Sequence, residues 1–166
     1  MVTGGQDLAW AVAASVTDPE LPVLTLADLG VLRDVRESDG SVTVSITPTY
    51  SGCPALDAMR EDLILALKRA GFAAVEVRTV LSPPWTTDEI TAQGRRKLTA
   101  AGIAPPAPVR KREPVPLTLQ PAPARVPCPR CGSPDTALLS LFGATACRAL
   151  RRCRSCDEPF EHVKEV

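Results

Sequence analysis

Cys128-Pro129-Arg130-Cys131 and Cys153-Arg154-Ser155-Cys156 are two C-x-x-C steps separated by the 21 residues from Gly132 to Arg152. Each step sets two thiols on one side of a tight turn. Two such knuckles joined by a hairpin-sized insert close a four-thiolate shell around one tetrahedral ion, with each sulfur about 2.3 Å from Zn(II). The spacing therefore predicts a zinc ribbon over residues 126–166, with structural zinc on Cys128, Cys131, Cys153 and Cys156. Other uses of the thiols stay open on the residues alone. Two disulfides need an oxidising compartment. The N-terminal apolar stretch Leu8 to Val16 is short, follows Asp7 and has no basic lead-in, so no secretory signal is read there and a reducing cytoplasm is expected. A thioredoxin-type pair needs a strand before the cysteines and a helix opening on them, which neither knuckle has. An iron-sulfur cluster satisfies the spacing as zinc does, because tetrahedral all-sulfur sites suit both metals.

Upstream of the ribbon, eight of the 17 prolines lie between Pro105 and Pro127. Such a stretch is extended, semi-rigid and too poor in large apolar residues to fold alone, so 104–125 is expected as a linker after a first domain over 1–103. At 166 residues and 45% hydrophobic content, the chain can bury one ordinary core and a small one. No apolar run approaches the roughly 20 residues of a membrane helix, so a membrane is not expected as a home. Charge is split: residues 1–103 hold nine Lys and Arg against 13 Asp and Glu, and 104–166 hold ten against six. Four thiolates on a divalent ion would remove half of that basic excess, and with 4% aromatic residues little is left for base stacking. Nucleic acid is therefore not an expected partner, although Arg148, Arg151, Arg152 and Arg154 cluster beside the second knuckle.

In the first domain, Ala9, Val12, Ala13 and Val16 recur at helical spacing until Thr17-Asp18-Pro19 stops the helix. Val42, Val44 and Ile46 alternate with polar residues, which predicts a strand with one buried face. Its partner is Val31 to Arg36, joined through Ser38-Asp39-Gly40. From Ala55 the period changes to 3.6, with Leu56, Met59, Leu63, Ile64, Leu67 and Ala70 on one face and Gly71 at the end. Val75 and Val77 mark a third strand, and Thr87 to Ala101 is expected as a last helix. The predicted class is α+β: a small mixed three-stranded sheet with helices packed on it, then the linker and the ribbon.

Thr49-Tyr50-Ser51-Gly52-Cys53-Pro54 places that domain's one cysteine just before a helix start. Pro54 suits the first helical position, and the free N–H groups and positive dipole end of a helix stabilise a thiolate beside them. Cys53 is therefore a candidate reactive thiol, against the alternative that it fills a turn as a small buried residue. As bare residues, Asp18-Pro19-Glu20 are a turn. Cys147 lies outside both knuckles and is either a buried ribbon residue or an exposed thiol. His162 is expected on the surface, against the alternative of a fifth metal ligand, and Trp10 and Trp85 in core or edge packing.

Three stretches, Asp18-Pro19-Glu20-Leu21-Pro22, Leu29-Gly30-Val31 and Thr47 to Pro54, resemble the motifs of the small domain shared by SufT-type iron-sulfur assembly factors. Cys128 to Ser133, Ser140-Leu-Phe-Gly-Ala-Thr-Ala-Cys147, Arg152-Cys153 and Cys156-Asp-Glu-Pro-Phe160 are similar to the C-terminal ribbon of the PaaD family, accessory components of bacterial phenylacetyl-CoA epoxidase systems. The resemblance implies a maturation role in aerobic phenylacetate degradation, whose oxygenase has a di-iron subunit and whose reductase carries a [2Fe-2S] centre and flavin. It maps the assembly motif's reactive cysteine onto Cys53 and its acidic motif onto Asp18 and Glu20. Catalysis by this chain is not expected. With His162 as the one histidine, neither a 2-His-1-carboxylate site nor a di-iron pair can be built, and the dinucleotide Gly-x-Gly-x-x-Gly turn is missing.

Two roles are in view. In the first, Cys53, with Asp18 or Glu20, transiently holds iron or an iron-sulfur cluster for delivery to the oxygenase or reductase. One cysteine per chain leaves such a cluster labile or bridged across a homodimer. In the second, the chain is a non-catalytic docking subunit that binds those partners through its ribbon.

Overall fold

The computed structural model describes residues 3–50, 52, 54–107 and 125–164. Cys53 and most of the expected linker, 108–124, lie outside the described residues. The contacts form two compact units, one ending at Gly94 and the other beginning at Arg95.

The first unit opens with helix α1 (Thr3–Ser15) and builds one sheet from β1 (Leu32–Ser38), β2 (Ser41–Ile46) and β3 (Ala74–Thr79), with α2 (Leu56–Arg69) crossing over between β2 and β3. The order is β1-β2-β3; β1 and β2 are antiparallel, and β3 runs parallel to β2. The mixed three-stranded sheet expected from the sequence is thus observed. Asp39 (φ 52°) and Gly40 (φ 78°) make the two-residue turn between β1 and β2, both left-handed as a twisted hairpin requires. Val42, Val44 and Ile46 all face the core, joined by Leu32 and Val35 of β1. Met59, Leu63 and Leu67 recur every four residues on α2 and are buried with them. At the end of α2, Gly71 takes φ 99°; its N–H donates to the Lys68 carbonyl and the Phe72 N–H to that of Leu67. This Schellman motif satisfies carbonyls that the helix end would leave bare.

The expected helix over Thr87 to Ala101 is corrected. Thr87–Glu89 is a single 3-10 turn, Ile90 is extended (φ −63°, ψ 120°), and α3 starts only at Ala92 and runs to Ala100. The Thr91 N–H donates to the Asp28 carbonyl at 2.9 Å, which draws the chain out of helix. The Thr91 hydroxyl then accepts the Gly94 N–H at 3.0 Å and caps the new helix.

The second unit holds a four-stranded sheet of order β4-β7-β6-β5: β4 (Ile103–Ala104), β5 (Thr136–Ser140), β6 (Arg148–Cys153) and β7 (Pro159–Val163). β6 is antiparallel to both β5 and β7, whereas β4 runs parallel to β7 with Ala104 opposite His162. Ala104, Val126, Cys128, Cys153 and Phe160 form its buried cluster. Ile103 and Ala104, which straddle the expected end of the first domain, therefore belong by pairing to the ribbon sheet. Among the described residues no helix is long and apolar enough to cross a membrane.

Candidate metal centre

The first knuckle lies in a turn that precedes β5, and the second lies at the end of β6. In the first, the Cys128 N–H donates to the Ser133 carbonyl and the Gly132 N–H to the Cys128 carbonyl, both at 2.9 Å, which folds Cys128 to Cys131 into a closed turn. The second begins at the last residue of β6, where the Cys153 N–H donates to the Glu158 carbonyl at 2.9 Å. The knuckles also meet each other: the Ser133 and Ser155 hydroxyls are 2.7 Å apart, and Arg130 pairs with Glu158. The result brings Cys128, Cys131, Cys153 and Cys156 together, all four sulfurs lying within 4.8 Å of one another. Cys128 and Cys153 are buried, whereas Cys131 and Cys156 face solvent and leave an approach for an ion.

The geometry fits a tetrahedral metal. The Cys131–Cys153 and Cys128–Cys156 sulfur separations are 3.5 and 3.8 Å, and none of the four is in a disulfide. A tetrahedron with metal–sulfur bonds of about 2.3 Å has edges of about 3.8 Å. Protonation differs between Cys153 and Cys156. Burial works against ionising Cys153, but the N–H groups of Cys156 and Ser155 and the neighbouring thiols outweigh it and hold the thiol down at about 7. For Cys156, the Glu158 N–H favours the thiolate, yet burial and the three other thiols push it up to about 12. Cys153 thus ionises readily and Cys156 resists, as neighbouring thiols that share hydrogen bonds do.

Neither Cys147 nor His162 is part of this four-sulfur group. Cys147 is half-buried, with its sulfur 3.1 Å from the Thr145 hydroxyl and outside the four-sulfur cluster. His162, expected on the surface, is instead buried at 6% exposure on the inner face of β7. Burial, aided by the positive charge of Arg151, pulls its pKa down to about 4, so the ring is neutral. The arginine cluster is largely neutralised: Arg148 pairs with Glu161, Arg152 with Asp157 and Arg154 with Asp135, and Arg151 is buried. In the first unit, Asp18 is buried at 4% exposure and its Oδ1 accepts the N–H groups of Glu20 (2.8 Å) and Leu21 (2.7 Å), so this carboxylate shapes the Asp18 to Leu21 turn. Glu20 is half-buried beside it. A second buried carboxylate, Asp28, was not singled out from the sequence. Its Oδ2 accepts both the Thr25 N–H and the Thr25 hydroxyl at 3.0 Å, and the Thr-x-x-Asp spacing is the signal that could have found it.

Comparison with known proteins assigns both units. Residues 112–164 match the family described as PaaD zinc beta ribbon domain, and residues 9–80 the family described as iron-sulfur cluster assembly protein. A protein of Escherichia coli (strain K12) described as the D component of 1,2-phenylacetyl-CoA epoxidase is 43% identical over 155 residues, 93% of this chain and 90% of that one. An Fe-S protein maturation auxiliary factor of Porphyromonas gingivalis is 34% identical over 86 residues, 51% of this chain and 81% of that one. Among solved structures, a Bacillus anthracis domain of unknown function, DUF59, superposes with a TM-score of 0.52 at 25% identity, covering 57% of this chain and 91% of that one. With likeness to the E. coli epoxidase component running through both units and the ribbon cysteines gathered as a zinc ribbon requires, the chain belongs to the PaaD family of phenylacetyl-CoA epoxidase components.

Proposed function

We propose that this chain is a cytoplasmic accessory factor of a phenylacetyl-CoA epoxidase system that assists delivery of iron or an iron-sulfur cluster to the oxygenase or reductase components. The observation that carries this is the pairing of an iron-sulfur assembly-type unit with a four-cysteine ribbon in a chain 43% identical to an epoxidase component over nine-tenths of its length. Zinc fits the ribbon centre: Cys128, Cys131, Cys153 and Cys156 would hold it, and its role there is to tie the two knuckles together. Cys53 is the proposed handling residue, acting with Asp18 or Glu20 of the separate acidic motif. Its thiolate would displace one ligand of the carrier from the iron, and that ligand would leave with the carrier without change of oxidation state. One such thiol per chain makes the cargo labile or shared across a homodimer.

The test is metal and acid-labile sulfide content of protein purified without oxygen, together with growth on phenylacetate of a strain carrying Cys53→Ser. One zinc per chain that is lost in Cys128→Ser, with substoichiometric iron and sulfide lost in Cys53→Ser, is the expected result. Normal growth and a full complement of reductase cluster in the Cys53→Ser strain would overturn the delivery role.

A docking role is favoured by a different observation. Leu138, Leu139, Leu141 and Phe142, on β5 and the turn after it, are 46%, 54%, 61% and 68% exposed, a run of apolar surface that soluble proteins seldom leave bare. If docking is the main role, Leu139→Asp with Phe142→Asp abolishes co-purification with the oxygenase while zinc content stays at one per chain, and Cys53→Ser is harmless.

A further inference from the structure

All four carboxylates described between Arg95 and Lys164 are already engaged: Asp135 with Arg154, Asp157 with Arg152, Glu158 with Arg130 and Glu161 with Arg148. Arg151 is left over, and among these arginines it is the buried one, at 9% exposure. Its Nη2 reaches the Thr136 hydroxyl at 3.4 Å, and its Nε is buried with no hydrogen-bond partner. The nearby His162 is no counter-charge, since its ring is neutral and its own Nε2 is buried and unpartnered. A guanidinium keeps its proton in proteins, and a buried cation without an anion is costly enough that folds rarely retain one.

The missing anion is identified by where the side chain points. Ala149, Arg151 and Cys153 share the inward face of β6, as side chains two apart on a strand do. Thr136, which the guanidinium reaches, stands directly opposite Cys153 in the register of β5 with β6. Arg151 is thus directed along β6 toward the cysteine end of the sheet, and Cys153 lies in the same buried cluster as Cys128. Four thiolates around a divalent ion keep a net charge of minus two, and among the described residues no other unpaired anion is left for this face.

We propose that Arg151 is the buried counter-charge of the four-cysteine centre, a positioning residue whose guanidinium offsets the excess negative charge of the metal-thiolate group and thereby raises its affinity for the metal. The four arginine–carboxylate pairs cannot substitute, since each is already neutral as a pair. The inference rests on the metal reading of the four cysteines and is independent of whether Cys53 delivers iron.

The experiment is competition for Zn(II) between a chromogenic chelator and the full chain, as wild type, Arg151→Met and Arg151→Lys. The absorption of the Co(II) form reports that all four sulfurs still ligate. Arg151→Met is expected to bind Zn(II) about 10- to 100-fold more weakly, the range typical of groups that support metal ligands. Arg151→Lys, which keeps the charge without the planar fork, should recover most of that loss. Should Arg151→Met fail to fold, Arg151→Gln, neutral but able to reach Thr136, is read in the same way. Undiminished affinity in the neutral variants, or an equal loss in Met and Lys, overturns the counter-charge role. A wild-type chain that takes up no Zn(II) overturns the metal reading itself, so the two failures are distinct.

Discussion

The hydroxyl of Ser133, two residues beyond the first cysteine pair, and the hydroxyl of Ser155, inside the second, lie 2.7 Å apart. This bond and the Arg130–Glu158 pair join the knuckles through groups that are not metal ligands. The shell is therefore partly preorganised, and less of the metal's binding energy has to close it.

Ser133→Ala removes that bond at an exposed site, where a hydrogen bond contributes about 0.5–1 kcal/mol. Zn(II) should then pass to a chelator about two- to fivefold faster, in proportion to that energy, while stoichiometry stays at one per chain. Stopped-flow chelation measures this directly; an unchanged rate would mean that the hydroxyl pair does not hold the knuckles.

Metal removal should act on the ribbon alone. The first unit has its own core of Leu24, Leu26, Val42, Val44, Ile46, Met59, Leu63 and Leu67, whereas the ribbon's buried cluster includes the ligands Cys128 and Cys153. Binding energy at such a site is folding energy. A chelator is expected to abolish the β-sheet signal of the ribbon and its protection from proteolysis, leaving the helical signal of α1 and α2 and their thermal transition in place. A single melt in which both are lost together would contradict this.

What the sequence revealed depended on how local the determining physics was. Val42, Val44 and Ile46 were legible because a one-sided strand writes its burial as strict alternation, and α2 because Met59, Leu63 and Leu67 recur with the helical turn. The four cysteines were legible from spacing alone. The break at Ile90 was not, since it is imposed by the Asp28 carbonyl, more than sixty residues away in sequence, taking the Thr91 N–H. β4 is two residues long, too short for any period to show. His162 and Arg151 look like surface residues by type. Their inward positions follow from strand parity, because Phe160 and Cys153, two residues from each, are buried.

Asp18 distinguishes a scaffold carboxylate from a handling one. Its Oδ1 accepts two N–H groups, so Asp18→Ala should leave both bare, and the buried one, that of Leu21, alone costs about 1–3 kcal/mol. Asp18→Asn keeps an oxygen in the same place and should retain most of the stability by urea denaturation. If Asp18 also serves iron handling, Asp18→Asn will lose iron and sulfide in anaerobically purified protein despite normal folding. Full iron content in that variant would leave Asp18 a turn residue only.

His162 makes the ribbon acid-sensitive in a defined window. Burial, then the charge of Arg151, lowers its pKa in the folded chain to about 4 from the ordinary 6.5, so between those values the unfolded chain binds a proton that the folded chain does not. The stability supplied by the neutral ring is complete above pH 6.5 and is lost as the pH falls toward 4. The slope is at most about 1.4 kcal/mol per pH unit, and smaller to the extent that water reaches the ring. Cysteine protonation weakens metal binding over part of the same range, but that loss is shared by a His162→Gln chain, whose amide does not titrate. The difference in ribbon stability between wild type and His162→Gln should therefore change in favour of the variant as pH drops from 6.5 to 4 and be flat above 6.5. Chemical denaturation of the metal-loaded proteins at a series of pH values measures it, and parallel curves throughout would show that His162 takes its proton as readily in the folded chain as in the unfolded one.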